Sequence, residues 1–234
     1  MATMEQQIEQ MHDQLYTDEE RHISGWGTTY ADTLGGLIAQ GFTELRKAGG
    51  QQHTVAREAA DTIRALRADD TLYPDGRDRL VREARSKADD QLTALRTQQQ
   101  SALEFLRTSL TARALPGVSN DREMPARDEA RMVLDGAPHP IVAMMELARR
   151  HDEVSALVSS SWGESYLRAR GVSQAPDAHE NIRTIALDAN AEHPDPQVST
   201  AAAALGEMTE LQMGRACTVY LTDQAVESAT EVDV

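Results

Sequence analysis

The most regular part of the chain is residues 72–117, which read LYPDGRDRLVREARSKADDQLTALRTQQQSALEFLRTSLTARALPG. Apolar side chains recur here at spacings of three, four or their sums: Leu80, Ala84, Ala88, Leu92, Leu95, Ala102, Leu106 and Leu110. This period is that of one helical face. Pro74 suits the first turn of a helix, and Leu115-Pro116-Gly117 ends it. The stretch therefore predicts one helix of about 40 residues, or ~60 Å at 1.5 Å per residue.

A shorter helix precedes this long one. Val55, Ala59, Ile63 and Leu66 share a helical face, so residues 51–115 predict a helical hairpin with a long second arm. The stripe on that arm is narrow and rich in alanine, which is typical of coiled coils and other helix-on-helix contacts. Because the first arm is too short to cover the second, we expect the N-terminal helices or a second chain to cover the rest.

Residues 1–50 predict an N-terminal pair of helices with a glycine-rich joint. An apolar stripe begins at Met4, and the stretch Gly25-Trp26-Gly27 is expected to break the helix that carries it. A second helix then begins near Tyr30 and is expected to end at Gly49-Gly50.

Beyond Pro116 the pattern changes to short helical stretches separated by Pro and Gly. We expect residues 116–222 to form a compact C-terminal helical domain. Residues 223–234 contain four acidic side chains and no basic one. They predict an acidic tail that is disordered unless a neighbour holds it.

The aromatic side chains are the candidate contacts with a partner, because aromatic residues anchor many protein interfaces. Three lie in the N-terminal pair of helices and two in the C-terminal domain. These interface candidates are Trp26, Tyr30, Phe42, Trp162 and Tyr166. For the N-terminal three, ordinary helix packing is the alternative interpretation.

The 234 residues carry 38 acidic and 23 basic side chains, and their formal net charge is −15. Residues 51–115 are close to neutral, so the excess of acid lies at the two ends of the chain. A negative surface repels phosphate, and we therefore expect no direct contact with nucleic acid. The acidic ends instead suit a basic protein partner. The composition, rich in alanine and poor in aromatic residues, favours an all-α fold.

Neither a leader nor a membrane span is expected. Residues 1–10 lack the basic and apolar regions of a signal peptide, and no apolar run approaches the ~18 residues that a spanning helix needs. We expect a protein that is made in the cytoplasm and has no membrane partner.

No motif for catalysis, cofactor binding or metal binding is present. The histidines include no HExxH motif and no pair at i,i+4 spacing, and we expect no metal site. Cys217 is the one cysteine, which excludes a disulfide framework, and we expect it to be free and buried. We therefore expect no enzyme and no cofactor, although an enzyme whose site these motifs do not cover is a third possibility.

The turn before the long helix carries a resemblance to a known group of proteins. Leu72-Tyr73-Pro74-Asp75-Gly76-Arg77, followed by Leu80 and Arg82-Glu83-Ala84-Arg85, resembles a pattern in helical proteins of tailed bacteriophages. The resemblance implies a non-enzymatic virion or assembly protein that binds the capsid or the head–tail region. It would be a minor capsid, decoration or scaffold-like protein, present as a homo-oligomer or in many copies, with other virion proteins as partners.

The alternative function is a cytoplasmic helical adaptor or regulatory interaction protein. It would act as a monomer or a dimer in solution and would not join a larger assembly.

Overall fold

The computed structural model describes the backbone of residues 4–230; within that range, the side chains of residues 4–5, 22, 24, 26–28, 31, 209–211 and 213–214 are not described. Over these residues the chain is helical and contains no strand, which confirms the all-α prediction. The helices are α1 (Met4–Leu34), α2 (Gly36–Ala68), α3 (Pro74–Ala114), α4 (Asn120–Leu134), α5 (Pro140–Ala148), α6 (Glu153–Val158), α7 (Ser161–Ala169), α8 (Ala175–Asn190) and α9 (Pro196–Thr230). Among them, none is both long and apolar enough to cross a membrane.

The chain divides into two compact units. The bundle unit consists of the described parts of residues 1–106 and 207–234, and the insert unit is Arg107–Gly206. These bounds differ from the predicted divisions at 50, 115 and 222. The chain leaves the bundle unit within α3 and returns to it within α9, so each of these helices contributes to both units.

The joint between α1 and α2 lies at Gly35, outside both glycine-containing stretches that were expected to end helices. Gly35 has a φ of 84°, a conformation that other residues rarely adopt. Gly25-Trp26-Gly27 lies inside α1 and Gly49-Gly50 inside α2. A Cβ on Gly50 would meet Tyr16 Oη at 2.9 Å. This glycine therefore serves close packing between helices, which outweighs its low helix propensity of about 1 kcal/mol.

Two helices of the same chain, α2 and α9, cover the apolar face of α3. Ala56, Ile63, Leu92, Val226 and Ala229 belong to one buried cluster that joins α2, α3 and α9. Farther along α3, Leu106 packs against Gly41 of α2. The N-terminal residues therefore contribute to the cover as expected, whereas the contribution of α9 was not expected. Sequence patterns identify an apolar face, but they do not identify its partner.

Two ion pairs fix α9 against α3. Arg96 Nη2 lies 2.6 Å from Asp223 Oδ1, and Arg85 Nη2 lies 3.4 Å from Glu227 Oε1. The acidic residues of the expected tail are therefore helical up to Thr230 and pair with arginines of α3. Residues 231–234, the remainder of that tail, lie outside the described residues.

The insert unit has a core of its own, built mainly from α4 to α8. Leu134, Met144, Val158, Leu167 and Ile182 are fully buried in it. Asp152 and Ser160 cap α6 and α7 by accepting hydrogen bonds from backbone N–H groups of the first turn. The short helices α4 to α8 thus belong to one compact unit, Arg107–Gly206, whereas the predicted C-terminal domain was residues 116–222.

Replacing Val226 by aspartate tests the role of the C-terminal helix. The side chain is 3% exposed, so Val226→Asp would bury an unpaired carboxylate and lower the free energy of unfolding by about 2–4 kcal/mol. The matched control is Ala216→Asp, on the exposed side of the same helix. Urea unfolding followed by circular dichroism measures both. Equal stability of the two variants would show that 226 is not buried.

Gly163 provides a test of the insert unit. A Cβ on Gly163 would overlap the carbonyl oxygen of Val158, a backbone atom that can yield only if α6 and α7 move apart. We expect Gly163→Ala to destabilise the protein by about 1–3 kcal/mol. The control is Gly136→Ala, where a Cβ meets nothing within 4 Å; it should leave the free energy of unfolding unchanged. A Gly163→Ala variant as stable as the wild type would contradict this packing.

Candidate functional site: a buried polar layer

A layer of polar side chains crosses the interior of the bundle unit. We call it the polar layer; it consists of His12, Asp13, Tyr16, Glu19, Gln52, His53, Gln99, Arg215, Thr218 and Thr222. The layer draws on α1, α2, α3 and α9, and it encloses a cavity of about 10 Å³. This volume is that of a single water molecule or ion, so the cavity is too small for an organic substrate.

Gln99 is the centre of one half of the layer. Its Oε1 atom accepts a hydrogen bond from Gln52 Nε2 at 2.6 Å and another from Arg215 Nη2 at 2.6 Å. Gln99 and Gln52 are 3% and 5% exposed. Burial lowers the pKa of Arg215, although Glu19 opposes the shift. Burial likewise raises the pKa of Glu19, against the effects of Thr218 and Arg215. The amide oxygen of Gln99 thus ties three helices together.

His12 belongs to the other half of the layer. Its Nε2 atom lies 3.0 Å from Thr222 Oγ1, and Thr222 in turn donates its hydroxyl proton to the carbonyl oxygen of Thr218 at 2.7 Å. Because the hydroxyl proton of Thr222 is already donated to Thr218, the His12–Thr222 hydrogen bond must use the Nε2–H of His12 as its donor. The Nδ1 atom then keeps its lone pair. Burial, followed by the nearby His53, lowers the pKa of His12 to about 4, against the effect of Asp13.

His53 lies between His12 and Tyr16. Its ring stacks on Tyr16 at 4.2 Å between centroids, and the ring of His12 is 4.7 Å away. Nε2 of His53 is 3.3 Å from Asp13 Oδ1, whereas its Nδ1 atom is buried and has no hydrogen-bond partner. Burial is the main cause that lowers the pKa of His53, and the nearby Arg57 lowers it as well. The anions Asp13 and Glu20 act in the opposite direction. Both rings are therefore neutral near pH 7.

Two of the candidate interface residues lie in the core of the bundle unit. Tyr30 is 6% exposed and Phe42 1% exposed, with their ring centroids 6.2 Å apart. Burial raises the pKa of Tyr30, as does its hydrogen bond with Glu207. The expectation that these rings anchor a partner is corrected here, since their surfaces are already used in packing helices. The side chain of Trp26 lies outside the described residues.

The other two candidates, Trp162 and Tyr166, lie on α7 of the insert unit and are partly exposed. Their rings stack at 5.3 Å between centroids. The hydroxyl of Tyr166 donates to Asp135 Oδ1 at 2.7 Å, and the guanidinium of Arg170 lies 5.9 Å from the centre of the Tyr166 ring. We call these four residues the α7 patch.

Sequence reasoning did not identify the polar layer as a site. Its histidines lie on different helices, and no short motif connects them. A signal was nevertheless present, because Gln99 continues the period of the apolar stripe that Leu92 and Leu106 define. A polar residue at such a position indicates a buried hydrogen bond. Cys217, expected to be buried, is exposed.

No family model matched the chain, and no significant match was found among curated proteins or among solved structures.

Replacing Gln99 by leucine tests the hydrogen bonds of the polar layer. Gln99→Leu would leave the buried Gln52 amide without its acceptor and would remove one acceptor from the partly buried Arg215, so we expect the free energy of unfolding to fall by about 2–4 kcal/mol. The matched control is Gln100→Leu, because Gln100 is exposed on the same helix. Urea titration measures both variants. A Gln99→Leu protein as stable as the control would show that Gln99 accepts no bond essential to the fold.

Proposed function

We propose that the chain is a non-enzymatic structural protein of a tailed phage particle. It binds the capsid or the head–tail region through protein–protein contacts, as a minor capsid, decoration or scaffold-like component present in many copies. The α7 patch is the surface through which it makes this contact.

The α7 patch is the observation that carries the proposal. Tryptophan, tyrosine and arginine are the residues that contribute most to binding at protein interfaces, and here Trp162, Tyr166 and Arg170 lie together on one side of α7. Asp135 holds the Tyr166 hydroxyl and lies 3.8 Å from Arg170 Nη1. Such fixed side chains lose little conformational entropy when a partner binds, which favours affinity.

The distribution of charge supports a protein as the partner. Arginines of α3 form ion pairs within the chain, with Asp223 and Glu227, so these cations are already neutralised. The formal net charge is −15. A surface of this sign attracts a basic protein and repels the phosphates of nucleic acid.

A cytoplasmic adaptor is the second candidate. Each unit buries a hydrophobic core of its own, and such units favour a chain that is folded in solution before it meets a partner. Light scattering distinguishes the two functions: an adaptor remains a monomer or dimer at all concentrations, whereas a particle protein joins larger assemblies.

Mass spectrometry of purified particles tests the proposed function. We expect the protein in mature particles of the phage whose genome carries the gene. Arg170→Glu should weaken its binding to the particle about tenfold, as loss of a strong interface contact does. The control is Arg168→Glu, because Arg168 lies two residues earlier, in the last turn of α7, and its side chain is 64% exposed.

The particle experiment has two further outcomes. Presence in immature heads and absence from mature particles would assign the scaffold role. Absence from both would contradict the proposed function. If Arg170→Glu and Arg168→Glu join particles equally well, the α7 patch is not the contact.

A further inference from the structure

Three side chains of the polar layer bring possible metal ligands together on the α1 and α2 side of the bundle unit. His12, Asp13 and His53 each offer one ligand atom, and these atoms all lie within 4.8 Å of one another. Among the described residues, this is the one group of histidine, cysteine and carboxylate side chains in such an arrangement. We infer that the bundle unit binds a divalent transition-metal ion, of which Zn²⁺ is the example considered, through these three residues.

The ligand types match that class of ion. Imidazole nitrogen binds Zn²⁺ and the neighbouring transition metals more strongly than Mg²⁺ or Ca²⁺, which prefer shells made wholly of oxygen. Two imidazoles and one carboxylate form a set of three protein ligands, and the fourth position of a tetrahedral zinc is then left for water. The cavity of about 10 Å³ that borders His12 and His53 is large enough for that water.

One of the interatomic distances already suits a tetrahedral ion. His53 Nε2 and Asp13 Oδ1 are 3.3 Å apart. Two ligands bound at about 2.0–2.1 Å in a tetrahedron are separated by about 3.3–3.4 Å. The ligand atoms all lie within 4.8 Å of one another, and rotation of the half-exposed Asp13 side chain would bring its carboxylate closer to the histidine nitrogens. Asp13 is free to adjust because its side chain is 44% exposed.

Hydrogen bonding prepares His12 as a ligand. Metal-binding histidines usually donate the N–H of the other ring nitrogen to an oxygen, and this bond fixes the tautomer and the ring orientation. In His12 the Nε2–H donates to Thr222, which is itself held by Thr218. The lone pair on Nδ1 is therefore available without any change of tautomer.

His53 reaches the ion through Nε2, the ring nitrogen next to Asp13. Its ring proton then lies on Nδ1, which is buried without a hydrogen-bond partner. Tyr16 stacks flat on the ring and fixes its plane.

The charges around the site favour a cation overall. Asp13 and Glu20 act on His53 as anions, and Arg57 is the opposing cation. Metal binding by the bundle unit is independent of the contact proposed for the α7 patch.

Calorimetric titration of the untagged full chain with Zn²⁺, after treatment with a chelator, tests the inference. We expect one ion per chain. A Zn²⁺ concentration 100 times the Kd should raise the Tm by about 5–10 °C. Co²⁺ serves as a second probe, because its visible absorption reports tetrahedral coordination by the histidines.

Variants separate the site from adventitious binding. Asp13→Asn keeps the shape of a half-exposed side chain and should weaken Zn²⁺ binding at least tenfold; His53→Gln should abolish it. The control is His139→Gln, which removes an exposed histidine of the insert unit and should leave binding unchanged. Circular dichroism without metal verifies that each variant is folded.

Two results would overturn the inference. The first is a wild-type chain that binds no stoichiometric Zn²⁺ or Co²⁺. The second is binding that survives in the folded Asp13→Asn variant with unchanged affinity. In either case the histidine pair is a structural part of the polar layer only.

Discussion

The hydrogen bonds that converge on Gln99 set the register of the bundle unit. One amide oxygen accepts from Gln52 of α2 and from Arg215 of α9, and both bonds exist at a single alignment of the three helices. A slip of α9 by one helical turn, about 5.4 Å, would break the bond from Arg215 to Gln99 and leave Gln99 without one of its two donors. Apolar contacts tolerate such a slip more easily, because leucine and alanine pack in several registers. The polar layer therefore selects the arrangement that the apolar core stabilises.

Other features of the bundle unit follow from that register. With α9 in place, Thr222 meets His12, and Asp223 and Glu227 meet the arginines of α3. The acidic segment up to Thr230 is helical because Asp223 and Glu227 have partners on α3 and because Val226 and Ala229 enter a core. His12 then lies beneath α9 and donates Nε2–H to Thr222. The lone pair on its Nδ1 atom is therefore not used in that hydrogen bond.

Parts of this structure could be predicted from sequence because they depend on local patterns. The period of α3 and its start at Pro74 required no knowledge of the rest of the chain, and α3 does span Pro74–Ala114. The expected breaks at residues 25–27 and 49–50 were wrong because a glycine weakens a helix without necessarily ending it. At Gly49 and Gly50, close contacts with Gln99 and Tyr16 accompany the continuation of α2. The pairing of α3 with α9 could not be predicted in this way, because no local pattern in residues 207–230 indicates that they cover α3. The aromatic rings at 30 and 42 were ambiguous for the same reason, since burial depends on the neighbouring helices.

Hydrogen exchange of the α9 amides measures most directly whether the C-terminal helix closes the bundle unit over the polar layer. If it does, the amides of residues 215–230 exchange slowly, with protection close to that of residues 92–106 in α3, because both segments open only when the bundle unit unfolds. Exchange of residues 215–230 at the rate of an unfolded peptide, while α3 stays protected, would contradict the account and would agree with the prediction of a free acidic tail from residue 223 onward.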